Sequence, residues 1–260
     1  MRSGMIDMES NTTLVQCYPA HEAVPDGTGP FPAVIVAHDR FGLSQQIRNV
    51  ANRLANSGFY ALAPSFYAIP TSVADVAPEF MHPTLSVHFD SDNEAGADDA
   101  AAMLSDERAG NIFKQAIGYA ISRAKVRAPG GVGVLGFAMG GRHAFLAACR
   151  SPKDVAACVS FYGKGIAGSS PPALGRPAPI DFAADLRASL LLFYGELDTT
   201  ISRRERDTVR DRLTALGKNF HIEVFREAGP DFFSEDIDVH RIHASNVAWD
   251  ETLTLFRRCL

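Results

Sequence analysis

One segment constrains the fold more than any other. Val132-Gly133-Val134-Leu135-Gly136-Phe137-Ala138-Met139-Gly140-Gly141-Arg142-His143-Ala144 reads as a buried apolar strand, a sharp glycine-flanked turn and a helix start rich in small residues. A turn written G-x-nucleophile-x-G lifts its central residue to the top of a sheet, where Ser or Cys attacks a carbonyl. Here the central residue is Ala138, which has no atom able to attack. The segment predicts a strand, an elbow and a helix, and at the same time denies the chemistry such an elbow usually carries.

The rest of the chain continues the alternation. Apolar strand-like runs at Ala33–Ala37, Tyr60–Ala63, Val132–Leu135, Val155–Phe161, Ser189–Tyr194 and His221–Phe225 are separated by stretches of helical spacing. Near-continuous apolar strands with helices between them imply a mostly parallel central sheet covered on both faces, an α/β fold. Ser44 is placed to cap a helix whose face is Ile47, Val50, Ala51, Leu54 and Ala55, with Gly58 ending it. Ile112, Phe113, Ala116, Ile117, Ala120 and Ile121 make a second face, and Val209, Leu213 and Leu216, closed by Gly217, a third. Val247, Trp249, Leu253 and Phe256 predict a C-terminal helix packed on the sheet. The reading is one domain over 1–260, with an N-terminal arm at 1–30 and a lid-like loop at 69–106, where long loops are often functional. The acidic run in that loop, around Asp90, Asp92, Glu94, Asp98 and Asp99, reads as a solvated face, without calcium-loop spacing.

Composition sets the function classes aside from one another. With 46% apolar and 21% charged residues the chain can bury a sizeable core. A formal net charge of −5 offers no basic stripe, which argues against nucleic acid or an anionic membrane as partner. No apolar run has signal-peptide or membrane-span length, so a cytoplasmic protein is expected. Cys17, Cys149, Cys158 and Cys259 are scattered without C-x-x-C spacing, a pattern of buried free thiols rather than zinc or disulfides. No cofactor and no metal are expected, the partner is a small molecule, and the state is a monomer or homodimer.

Several segments together carry a resemblance. Phe31-Pro32-Ala33-Val34-Ile35-Val36-Ala37-His38-Asp39-Arg40-Phe41-Gly42 and Gly58-Phe59-Tyr60-Ala61-Leu62-Ala63-Pro64-Ser65-Phe66-Tyr67 resemble the first core strands of the dienelactone hydrolases, members of the α/β-hydrolase superfamily. Gly136-Phe137-Ala138-Met139-Gly140-Gly141 is similar to their Gly-x-Cys-x-Gly-Gly elbow. Phe161-Tyr162-Gly163 and Leu192-Phe193-Tyr194-Gly195-Glu196-Leu197-Asp198 resemble two further landmarks, in the same order. The resemblance implies hydrolysis of lactones and small esters by a Cys-His-Asp triad, with a pocket acid beside the Cys. It puts Asp198 at the triad aspartate, Asp39 at the pocket glutamate and Ala138 at the nucleophile. The family's Ala-x-His-Gly-Phe stretch reads Ala228-Gly229-Pro230-Asp231-Phe232 here, so Pro230 falls on the histidine.

Losing both nucleophile and base excludes the acyl-enzyme route. What an α/β-hydrolase elbow keeps is its oxyanion hole, built from the backbone N–H groups of Met139 and Arg40, and a helix N-terminus that favours negative charge. Such donors stabilise an enolate as well as a tetrahedral oxyanion. Asp39, at a strand's C-terminal end, is the candidate acid or base. Asp231 is a second, or a turn residue after Pro230; Asp198 is a site residue, or a cap of its own loop. His38 reads either as a ligand contact or as a satisfied structural histidine, and Tyr67 and Tyr162 as pocket walls or packing. His240 and His243 are candidate replacement bases, Arg142 either pairs with an acid or meets an anionic substrate or is simply solvated or structural, and His143 leaves the site. Two other readings remain: an inactive binder, and a hydrolase using Ser65 with His240.

Overall fold

The computed structural model describes residues 1–9, 16–67, 71–72, 88–89, 93–168, 177–235 and 239–260. Contacts divide it into two compact units, Met1–Ala128 and Pro129–Leu260.

In the first unit the strands run in the order β1 (Arg2–Glu9), β2 (Gln16–Val24), β4 (Tyr60–Pro64), β3 (Phe31–Ala37). β1 and β2 are antiparallel, β2 and β4 are antiparallel, and β3 lies parallel to β4. Two short strands, β5 (Thr71–Ser72) and β6 (Val126–Arg127), add to β2 and β3. The region read as an arm is therefore two strands of the sheet. Period-two alternation is hidden there because His21 and Glu22 are both buried. Each is satisfied by a partner: His21 Nε2 pairs with Asn52 Oδ1, and Tyr60 Oη donates to Glu22 Oε1.

Helix α1 (Gln45–Asn56) buries the predicted face, Ile47, Val50, Ala51, Leu54 and Ala55. Ser44 occupies its N-cap but makes no side-chain cap hydrogen bond. Gly58 follows the helix with φ +94°, the left-handed region that Gly adopts without cost. α2 (Glu94–Met103) lies inside the stretch read as a lid loop and buries only Ala97. Of that stretch, residues 69–70, 73–87 and 90–92 lie outside the described residues. α3 (Asp106–Ser122) is capped by Ser105, whose Oγ accepts from Arg108 N, and packs on β3 and β4.

The second unit is a four-strand parallel sheet, β7 (Val132–Phe137), β8 (Val155–Phe161), β9 (Ser189–Gly195), β10 (Phe220–Phe225). α4 (Met139–Arg150) buries nine of its twelve residues against β7, β8 and a 3-10 helix at Pro179–Asp185. α5 (Arg203–Ala215) ends at Gly217, φ +60°, and α6 (Ile242–Cys259) packs on β8 and β9 with Trp249 buried. Phe137, Phe161, Tyr162, Phe193, Phe225, Phe232, Phe233 and Trp249 form one chain of ring contacts, centroids 4.8–6.3 Å apart. Aromatic rings bury a large apolar area each, and their burial here stabilises the unit. Cys149 and Cys158 are buried free thiols, Cys259 is partly exposed, and the Cys17 side chain lies outside the described residues. Among the described residues no helix is long and apolar enough to cross a membrane.

Candidate functional site

The elbow is present in full. Ala138 sits between β7 and α4 with φ 47° and ψ −113°, a conformation that costs a non-glycine residue about 1–3 kcal/mol. Glycines make it possible by close approach. A Cβ on Gly136 would overlap the Gly140 carbonyl, and one on Gly141 would come within 2.6 Å of Ser160 Oγ. Ala138 N donates to Phe161 O (3.0 Å), tying the elbow to the end of β8. Met139 opens α4, so its amide belongs to the turn of N–H groups directed at the helix N-terminus. Ser160 is a residue that sequence reasoning missed. Its Oγ is buried beneath the elbow with no hydrogen-bond partner among the described residues. The signal was a single hydroxyl in an otherwise apolar strand.

The loops that carry Asp198 and Pro230 are zipped together. Glu196 N donates to Phe225 O and Leu197 N to Ala228 O, while Ala228 N donates to Phe225 O within the second turn itself. Gly195 permits the approach, since a Cβ there would lie 2.6 Å from Gly229 O. Asp198 is 7% exposed, and its Oδ1 accepts from Thr200 N (2.7 Å), Thr200 Oγ1 (2.8 Å) and Ile201 N (3.1 Å). That oxygen holds the loop, which gives Asp198 the capping role. Asp231 has φ +53°, in the left-handed region. Asp adopts this region more readily than most residues. Asp231 is exposed, and its carbonyl accepts from Ser234 N. Tyr162, also at positive φ (39°), is buried among Phe137, Phe161 and Phe232, so its ring is packing. His240 Nδ1 lies 2.8 Å from Ser234 O. A carbonyl only accepts, so Nδ1 carries the proton in this pairing and Nε2 is the basic nitrogen. His243 is exposed at the start of α6, and His143 is buried in α4.

In the first unit, Asp39 follows β3 in a tight turn. Its Oδ1 accepts from Phe41 N (2.8 Å) and its carbonyl from Gly42 N (3.2 Å). Asp39 remains partly exposed. The Arg40 guanidinium pairs with Glu94 (3.2 Å) and Asp98 (2.8 Å) of α2 and lies over the Phe41 ring. The acidic run is thus not simply solvated: two of its members hold the residue next to Asp39. Tyr67 is buried, its Oη donates to Arg40 O, and burial pushes its hydroxyl pKa up, helped by Asp39 and Asp98. Ser65 is 0% exposed, which removes it as a displaced nucleophile.

His38 is a structural histidine. It is fully buried, with Nδ1 2.7 Å from Asp39 O and Nε2 accepting from Phe66 N (2.9 Å), so neither ring nitrogen faces a ligand. Burial pushes it down to about 4 from its ordinary 6.5. Below about pH 6.5 the unfolded chain takes up a proton that the folded chain refuses until about pH 4. The stability present at neutral pH is therefore lost as pH falls through that window, by about 3 kcal/mol from this group. Urea unfolding at neutral and mildly acidic pH measures it. The pH slope is expected to flatten in His38→Gln, and an unchanged slope would assign the acid sensitivity elsewhere.

Among the described residues no group of three or more His, Cys, Asp or Glu is placed to hold a metal ion. The parallel strands, covering helices and intact elbow define an α/β-hydrolase fold. The chain belongs to the dienelactone hydrolase family, whose model matches residues 19–260. It is 32% identical over 240 residues to a "Putative carboxymethylenebutenolidase" of Methylorubrum extorquens, covering 92% of this chain and 76% of that one. It is 30% identical over 239 residues to a "Probable 2-oxo-3-(5-oxofuran-2-ylidene)propanoate lactonase" of Bradyrhizobium, covering 92% and 88%. The crystal structure of a "Putative Dienelactone Hydrolase" from Klebsiella pneumoniae superposes with a TM-score of 0.80 at 26% identity, covering 98% of both chains.

Proposed function

We propose that this protein acts on a small lactone, enol or β-dicarbonyl compound by acid–base chemistry with no covalent intermediate. Asp39 moves the proton, and the backbone N–H groups of a retained oxyanion hole stabilise the enolate oxygen. The observation that carries the reading is the elbow itself. Ala138 retains a strained nucleophile conformation, φ 47° and ψ −113°, on a side chain that cannot attack. The geometry that serves an anion is kept while covalent attack is gone. Abstraction of a proton beside the carbonyl and its return at another carbon give isomerisation, and expulsion of a β-leaving group instead gives elimination. The names of the two relatives point to unsaturated lactones as the compounds to try first. The protein works as a cytoplasmic monomer or homodimer with a small molecule as its partner.

Incubation with unsaturated lactones and β-dicarbonyl compounds, followed by NMR, is expected to show isomerised or eliminated product without a mass shift of the protein. Binding without conversion would leave an inactive binder as the function. Restoring the nucleophile alone tests the second loss. Ala138→Cys is expected to hydrolyse p-nitrophenyl acetate within about tenfold of background, because no base activates the thiol. Strong esterase activity that disappears on adding His240→Gln would instead make His240 a surviving base and sink the non-covalent reading.

A further inference from the structure

Within the second unit, away from the elbow, the C-terminal end of α4 borders an open cleft of about 510 Å³. Arg150, Arg187 and Lys218 line it, opposed by one acid, Asp185. Three cations against one carboxylate make the cleft locally positive by two charges, in a chain whose formal net charge is −5. None of the three cations forms an ion pair among the described residues. Cations gathered without carboxylate partners repel one another, and an anion between them relieves that repulsion.

Two of the three are also held in place. Lys218 Nζ donates to Ala184 O (2.7 Å) and Leu186 O (2.9 Å), which fixes the ammonium and leaves its third proton to donate. The Arg150 guanidinium stacks over the Phe182 ring at 4.8 Å, which orients its fork of donors. Phe182 and Leu186 give the same cleft an apolar wall, and its volume falls in the range of small-molecule sites.

We propose that this cleft binds a small molecule with a dianionic head, phosphate or dicarboxylate, on a compact apolar body. The head lies between Arg150, Arg187 and Lys218, and the body lies against Phe182 and Leu186. Arginine forks suit either head because both offer paired oxygens at matching spacing. The site is independent of the reaction proposed above, and its test needs no turnover.

Phenyl phosphate and phthalate share an aromatic body and differ in the head, so calorimetric titration with each separates the two sources. At least one is expected to bind with roughly millimolar affinity or better, weakening steeply with added salt. In R150Q/R187Q, binding of that probe is expected to fall by at least about tenfold, with the thermal unfolding midpoint and circular dichroism unchanged. Both arginines are exposed, so the double variant keeps the fold testable. Absence of binding by both probes, or equal binding in the double variant, overturns the proposal.

Discussion

Asp39→Asn is expected to lower turnover of the active lactone or enol by about 10²–10⁴-fold, the range that one positioned acid or base contributes. The substitution separates chemistry from structure at this position. Asp39 Oδ1 accepts from Phe41 N, and an asparagine carbonyl oxygen does the same. The other bonds of the turn use the Asp39 main-chain carbonyl, which accepts from Gly42 N and sits against His38 Nδ1. The unfolding midpoint is therefore expected to hold while product formation, followed by NMR, collapses. Asp39→Ala loses both, with about 1 kcal/mol of stability given up with the Phe41 hydrogen bond. Full activity in Asp39→Asn would end the acid–base assignment.

The largest effect on stability is expected at Gly136→Ala. Its new methyl has no space, because the Gly140 carbonyl occupies it, and that carbonyl belongs to the first turn of α4. Either β7 or the helix start must shift, and with it the strained backbone at Ala138. A loss of about 3 kcal/mol or more is expected from urea unfolding, a large share of a domain's total stability. Gly118→Ala is the internal control. Gly118 lies inside α3 with nothing within 4 Å of its missing Cβ, so alanine there is expected to gain about 0.5–1 kcal/mol. Equal effects at the two glycines would mean that close packing is not what holds the elbow.

The core strands and every described α-helix but α2 were legible because burial writes itself into the sequence. β8 and β9 are apolar runs, and the α1 face repeats at helical spacing, so position and partner follow from pattern alone. Where burial was polar the pattern failed. His21 and Glu22 interrupt β2, and only their partners Asn52 and Tyr60, distant in sequence, make that strand buriable. α2 escaped because one alanine is its only buried residue, so no apolar stripe marks it. The candidate site divides in the same way. The elbow is encoded by glycines whose reason is local, and it was read correctly as geometry. His38 could not be resolved, since alternation says which way a ring points and not what its nitrogens meet. Nor could the attachment of Arg40 to Glu94 and Asp98, which depends on contacts across more than fifty residues.

The main-chain zipper between the Glu196–Asp198 loop and the Phe225–Ala228 turn bears on how such a site evolves. Both hydrogen bonds that cross it, Glu196 N to Phe225 O and Leu197 N to Ala228 O, join backbone atoms, and its close approach depends on Gly195. The side chain at 230 takes no part in it. A side chain can be exchanged there without the zipper losing either of its hydrogen bonds. A later substitution would find the same zipper still standing.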